Sequence, residues 1–277
     1  MSAMRSYPFR VGLFVVLLLG AALAAGPVPD VKAAAPYTKY VTAQTTVAPG
    51  QVGFATATCP EGSVVVGGGF ASSSSVLFYT HLKIGNGWRG YAKNNTSVSW
   101  RITVYAVCLF DAPGASSTQV LNQITVEPGE YARATVACPE GSILTHGSWA
   151  TQADGSQKIW GSTKYNDYSQ YWIVESWNKS GSKKLLNVYA ICLSGVEGKT
   201  TSVIKYATIP ANTTGHAAVP RCESDQLVTG GGFVTHLDLV IYNSSGPHAG
   251  SQWRVYAKNP TTADRWLHGY AVCLSLQ

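Results

Sequence analysis

The chain has 277 residues, 45% of them hydrophobic and 11% aromatic but only 12% charged, about half the charged share of an ordinary soluble domain. That scarcity excludes a coiled coil and an acidic disordered chain, which both need far more charge. The formal charge is +6, yet no Lys/Arg block exceeds two residues, so the clustered basic footprint of a nucleic-acid binder is missing.

Residues 1–33 read as a secretory signal peptide. Arg5 and Arg10 make a positive start, Val11 to Ala25 is an apolar run, and small residues follow at Ala22-Leu23-Ala24 and Val31-Lys32-Ala33, the architecture of an export leader. The apolar run is shorter than the roughly 20 residues a membrane anchor needs. This segment holds three of the 20 Lys/Arg and one of the 14 Asp/Glu, so the remainder carries a net +4. No later stretch approaches membrane length, and the expected product is secreted or held at the cell surface with no membrane span.

The remaining sequence contains one pattern three times. Cys59-Pro60-Glu61-Gly62 leads to Gly67-Gly68-Gly69-Phe70, Cys138-Pro139-Glu140-Gly141 leads to His146-Gly147-Ser148-Trp149, and Cys222 leads to Gly230-Gly231-Gly232-Phe233. About thirty residues after each cysteine comes a Trp followed six positions later by an Asn: Trp88/Asn94, Trp172/Asn178 and Trp253/Asn259. Each copy closes on Tyr105-Ala106-Val107-Cys108, Tyr189-Ala190-Ile191-Cys192 or Tyr270-Ala271-Val272-Cys273. Ordered anchors repeated in this way are the signature of tandem structural units. The repeats span 37–113, 118–194 and 200–277, each about 80 residues long.

Within a repeat the apolar period is two. Trp88, Gly90 and Ala92 share one face and Arg89, Tyr91 and Lys93 the other; Trp253, Val255 and Ala257 oppose Arg254, Tyr256 and Lys258. Such alternation marks strands with one buried face. The closing segment, Trp100 to Cys108, is apolar on both faces and reads as a central strand. Pro49-Gly50 and Pro128-Gly129 supply turn chemistry. The expected fold is therefore all-β, with five or six short strands per repeat. The repeats form either small sandwiches or a pseudo-threefold β-prism to which each contributes a sheet.

Six cysteines, two per copy, in an exported chain predict three disulfides. Repeat symmetry leaves an intra-unit set, Cys59–Cys108, Cys138–Cys192 and Cys222–Cys273, and a cyclic set, Cys108–Cys138, Cys192–Cys222 and Cys273–Cys59. The first is preferred because it makes each unit self-contained. No Cys-x-x-Cys occurs, and the six His residues hold no equivalent positions, so no metal site and no cofactor is expected.

Catalytic signatures are missing too. There is no Gly-x-Ser-x-Gly, His-Glu-x-x-His or phosphate-loop pattern. The glycine triplets sit between β runs and read as bulges or close backbone approaches. Carboxylate pairs such as Asp154 with Glu175 or Asp238 with Asp264 would have to meet in space to serve a hydrolase. The chain reads as not an enzyme.

The outward strand faces are more informative. Tyr91, Trp177 and Tyr256 read as an aromatic at each outward position, beside Arg89, Lys93, Arg254 and Lys258. Rings flanked by polar handles suit sugars and other amphipathic surfaces. Trp88, Trp172 and Trp253 face the small-residue side and read as core anchors. Asn94, Asn178 and Asn259 read as residues that bond their own turns.

The ordered pattern Cys-Pro-Glu-Gly, Gly-Gly-Gly-Phe, Trp-Arg-x-Tyr-Ala-Lys-Asn and Tyr-Ala-Val-Cys resembles repeats of secreted bacterial proteins of unknown function, over nearly all of residues 40–277. It is also similar to vitelline membrane outer layer protein I, in which Cys-Pro-x-Gly precedes a Gly-Phe strand and a closing Cys. That likeness implies a three-repeat β-prism and a sugar-related role. This chain departs from it in longer units and in its Trp…Asn and Tyr-Ala-Val-Cys signatures. The functional expectation is a binding protein for a surface polymer, carbohydrate by preference, acting through repeated weak sites. The alternatives are a structural or self-assembling cell-surface protein and, third, a cell-wall hydrolase.

Overall fold

The computed structural model describes residues 34–73, 75–164, 166–167, 169–248 and 252–277; the leader expected at residues 1–33 lies outside them. Each repeat forms six strands, and no helix occurs among the described residues. Repeat 1 contributes β1 (Tyr37–Val47), β2 (Val52–Thr58), β3 (Val64–Ala71), β4 (Val76–Ile84), β5 (Gly87–Asn94) and β6 (Trp100–Phe110). Repeat 2 contributes β7 (Ser116–Val126), β8 (Tyr131–Ala137), β9 (Ile143–Ala150), β10 (Gln157–Lys164), β11 (Tyr171–Asn178) and β12 (Lys184–Ser194). Repeat 3 contributes β13 (Gly198–Ile209), β14 (Thr214–Ala218), β15 (Leu227–Thr235), β16 (Val240–His248), β17 (Gln252–Lys258) and β18 (Arg265–Leu276).

These strands build three six-stranded antiparallel sheets that no repeat owns. The first runs β1-β6-β3-β16-β17-β14, the second β2-β5-β4-β9-β12-β7, and the third β13-β18-β15-β10-β11-β8. In every sheet the first, sixth and third strands of one repeat join the fourth, fifth and second strands of the repeat before it, and repeat 1 follows repeat 3. The exchange closes a ring. This corrects both expected arrangements: the repeats are neither self-contained sandwiches nor suppliers of one sheet each. Junctions between repeats are narrow. Thr80 and His81 pair with Ala150 and Trp149, while Gly161 and Ser162 pair with Val234 and Phe233. The closing strand of each repeat lies between two neighbours from its own repeat, in the central position expected for β6.

The disulfides are the intra-unit set, Cys59–Cys108, Cys138–Cys192 and Cys222–Cys273. Their physical role differs from self-containment. Cys59 follows β2 in the second sheet and Cys108 lies on β6 in the first, so the bridge staples two sheets together; the other two bridges do the same. Each closes a loop of 49 to 54 residues, for which chain entropy gives roughly 4 kcal/mol.

The glycine triplets hold the centre of the ring. Trp88, Trp172 and Trp253 are fully buried, each laid on the middle glycine of its own repeat. A Cβ on Gly68, Gly147 or Gly231 would fall 2.2, 2.1 or 2.6 Å from Cγ of Trp88, Trp172 or Trp253, well inside van der Waals contact. The first position of the triplet points at the centre, where there is room for one side chain among three. His146 fills it between Gly67 and Gly230, whose added Cβ atoms would lie 3.0 and 2.2 Å from the His146 side chain. Its ring sits 5.1, 5.2 and 5.8 Å from the rings of Trp88, Trp172 and Trp253. Burial holds His146 neutral, pushing its pKa down to about 3, and lowers His81 beside it for the same reason. The expected bulges are present, between Val65 and Gly67 on β3 and between Val228 and Gly230 on β15. Threonine hydroxyls tie one repeat to the next here: Thr145 Oγ1 donates to the Val66 carbonyl and Thr229 Oγ1 to the Thr145 carbonyl, both at 2.7 Å.

The repeated asparagines are knots between two turns. Asn94 Nδ2 donates to the carbonyls of Val47 and Val98, and its Oδ1 accepts from the backbone and hydroxyl of Thr96. Asn178 holds Val126, Glu127 and Ser182 with Ser180, and Asn259 holds Ile209, Pro210 and Ala263 with Thr261. The Asn-x-Ser/Thr spelling is thus a folding device. All three asparagines are fully buried. The Pro-Gly turns behave as their composition predicts, with φ of +70° at Gly50 and +75° at Gly129; Asn212 takes the same left-handed position at +56°, which Asn tolerates better than other side chains.

Candidate functional site

The aromatic and basic residues singled out from the sequence lie on three different sheets. Tyr91, with Arg89 and Lys93, is on β5 of the second sheet; Trp177 is on β11 of the third; Tyr256, with Arg254 and Lys258, is on β17 of the first. They alternate with buried Trp88, Trp172 and Trp253 and their small neighbours, so they face away from the core. The structure does not bring them into one pocket. It repeats a patch on each sheet.

Cross-strand register corrects the equivalence of the three aromatics. Tyr91 lies opposite Phe54 and Tyr256 opposite His216, whereas the matching residue of repeat 2 is Glu175, opposite Arg133. Trp177 stands one step further along, opposite Tyr131, at the position held by Lys93 opposite Val52 and by Lys258 opposite Thr214. Counted from the buried Trp, Tyr91 and Tyr256 are three residues on and Trp177 is five. Each sheet therefore has an aromatic patch, but that of the third sheet is displaced by two residues along the strand.

The patches share a construction. On the second sheet the Phe54 and Tyr91 rings lie 5.4 Å apart and Tyr79 is 6.2 Å from Tyr91. The Arg89 guanidinium lies over both Phe54 and Tyr91, at 4.8 and 5.9 Å from the ring centroids. Its Nε donates to Thr56 Oγ1 and its Nη1 to the Tyr91 hydroxyl. The first sheet repeats this with His216 and Tyr256 at 5.0 Å and Tyr242 at 6.2 Å, Arg254 Nη1 donating to the Tyr256 hydroxyl. On the third sheet Tyr131 stacks on Trp177 at 5.1 Å, and the Lys179 ammonium lies over the Trp177 ring at 4.6 Å. Phe54 and Tyr131 are about half exposed, at 51% and 54%. The neighbouring hydroxyls of Tyr79 and Tyr242 keep their protons, their pKa values being raised by partial burial and by Tyr91 and Tyr256 respectively.

Sequence reasoning missed Phe54, Tyr131 and His216. They sit on β2, β8 and β14, and only strand pairing sets them beside β5, β11 and β17. The signal available was weak: apolar or aromatic residues on the outward parity of an edge strand a few residues before each first cysteine.

The carboxylates considered for hydrolytic chemistry each have separate partners. Glu175 bonds Arg133, Asp154 pairs with Lys184 at 2.6 Å, Asp238 pairs with Arg265 at 2.9 Å, and Asp264 accepts from the Ala211 backbone N–H. Lys184 holds Asp154 down to about 2. Among the described residues no group of three or more His, Cys, Asp or Glu is arranged to hold a metal ion, and no helix is long and apolar enough to cross a membrane. No protein-family model matches the chain, and no curated protein matches it.

Proposed function

We propose that this chain is a secreted, non-enzymatic binding protein that holds a surface polymer, carbohydrate by preference, on the aromatic patches of its three sheets. The observation that carries the reading is the repeated outward pairing of rings with a cation: Phe54 and Tyr91 under Arg89, Tyr131 and Trp177 with Lys179, His216 and Tyr256 with Arg254. A ring face packs against the C–H surface of a sugar while adjacent N–H and O–H groups meet its hydroxyls. Patches on separate sheets suit a long or multivalent ligand, because a second contact on one polymer gains from effective concentration. Three disulfides fit export to an oxidising compartment.

The test is retention on a panel of insoluble cell-wall and plant polysaccharides at low and moderate salt. The protein is expected to be retained on one sugar class, with little loss as salt rises. The triple variant Tyr91→Ala, Trp177→Ala, Tyr256→Ala is expected to pass through with an unchanged far-UV spectrum. Single variants should lose only part of the retention. Full retention of the triple variant would remove these residues from the function. Retention that collapses with salt would make the charge, and not the rings, responsible.

A further inference from the structure

Where the chain leaves β3, β9 and β15 there is a cavity of about 250 Å³ lined by all three repeats. Its inner wall is Phe70, Trp149 and Phe233, the residues that follow the triplets Gly67–Gly69, His146–Ser148 and Gly230–Gly232. Their rings meet edge to face, 5.9 Å between Phe70 and Trp149 and 5.6 Å between Trp149 and Phe233. Phe78 stacks on Phe70 at 4.4 Å, and Leu77, Ile159 and Leu239 add to the apolar lining. Water at bulk density would put roughly eight molecules in that volume, so the space suits a small ligand.

Polar atoms in this lining lack partners among the described residues. Trp149 is 4% exposed and its Nε1–H has no acceptor. Gln157 is 4% exposed; its Nε2 donates to Ser176 Oγ while Oε1 has no partner. Turning the amide over lets Ser176 donate to Oε1 and leaves an N–H free instead, an exchange that side-chain amides allow. With the amide so turned, the lining holds two buried N–H donors, Trp149 Nε1–H and Gln157 Nε2–H. Lys158, opposite Trp177 on the neighbouring strand, also lines the cavity, half-buried and without an ion pair among the described residues. Buried polar groups without partners each cost about 1–3 kcal/mol, and a ligand that accepts from them recovers that cost.

We infer that this cavity is a binding site for a small amphipathic carboxylate, its apolar body against Phe70, Phe78, Trp149 and Phe233 and its anionic group on Lys158 with Trp149 Nε1–H and Gln157. A neutral apolar ligand would leave the ammonium and both donors unanswered. A strongly polar anion would waste the aromatic wall. Burial and the nearby Lys179 push Lys158 down to about 8, with Asp238 opposing; the ammonium is thus the main form at pH 7 and the one that an anion would stabilise. The site adjoins the third-sheet patch, where Lys158 lies opposite Trp177 and Lys179 serves both, and it shares no residue with the other two patches.

Calorimetric titration of the purified protein with sodium octanoate and with 1-octanol at pH 7 tests this. Octanoate is expected to bind saturably and about tenfold or more tighter than octanol, the margin of a charge-assisted hydrogen bond. Lys158→Met should erase that preference while octanol binding persists, and Ile159→Trp should fill the cavity and abolish both. Raising the pH to about 9.5 should weaken octanoate in the unmodified protein, as the ammonium loses its proton. Absence of saturable octanoate binding, or a preference that survives Lys158→Met, overturns the assignment; equal binding of octanol makes the cavity merely apolar and also overturns it. Should Ile159→Trp melt early, the Lys158→Met comparison alone decides. Tyr91→Ala with Tyr256→Ala, on the two patches that share no residue with the cavity, should weaken polymer retention and leave octanoate binding intact, so failure of one site is distinguishable from failure of the other.

Discussion

At the centre of the ring the three repeats keep the same residue types in the same places: a Trp on a Gly, an Asn knotting two turns, a Cys pair joining two sheets. On the outer faces they diverge. Repeats 1 and 3 carry Arg-x-Tyr-x-Lys, while repeat 2 carries Ile173, Glu175 and Trp177 along the same strand. The difference follows from what each position touches. A Cβ on Gly147 would meet Trp172 Cγ at 2.1 Å, so this position tolerates no second solution. An outward side chain has a cross-strand neighbour that can change with it, as Tyr91 opposite Phe54 gives way to Glu175 opposite Arg133. At the first position of the triplet the copies differ for another reason, because three strands share one space and His146 occupies it.

This contrast can be broken in graded ways. Deleting residues 118–194 removes three strands from each of two sheets; the expected product has no cooperative thermal transition by calorimetry, whereas self-contained repeats would leave two folded units. Trp172→Ala should cost about 4 kcal/mol in denaturant unfolding. Asn178→Ala frees two turns and strands the buried Val126 carbonyl; a loss of about 3 kcal/mol is expected, and Asn178→Asp should recover little because Nδ2 is the donor.

The buried histidine sharpens the comparison through pH. His146 titrates near 3 when folded and near 6.5 when unfolded, so between these values the unfolded chain binds more protons. Its contribution is complete above about pH 6.5 and is lost as the pH falls towards 3, at up to about 1.4 kcal/mol per unit. His146→Leu should flatten that acid limb in urea midpoints measured from pH 7 to 4. An unchanged limb would show that other groups set it. The smallest effect is expected outside: Tyr91→Ala should shift stability by about 1 kcal/mol or less.

Much of this was readable in the chain itself. The period of two, the Pro-Gly turns and the doubled cysteines are local patterns, and they led to strands, turns and bridges without knowledge of the fold. Strand exchange was not readable, because the same outward and inward parity serves a strand paired with its own repeat or with the next. The equivalence of Trp177 with Tyr91 also failed on sequence, since parity fixes a face and only register fixes a row. The patches were half visible for the same reason: Tyr91 and Tyr256 declare themselves, while Phe54, Tyr131 and His216 acquire their place through pairing with strands some forty residues away.

By itself, then, the sequence determined an all-β chain of three disulfide-bearing repeats with Trp and Asn anchors, because hydrophobic period, turn residues and repeat spacing act over a few residues at a time. Tertiary structure alone decided that every sheet is shared between two repeats, that each disulfide joins two sheets, and that one histidine fills the centre. It also decided that Phe70, Trp149 and Phe233 wall a common cavity beside Lys158. These are properties of closure. They arise from which strands meet across the ring, and no local pattern carries that choice.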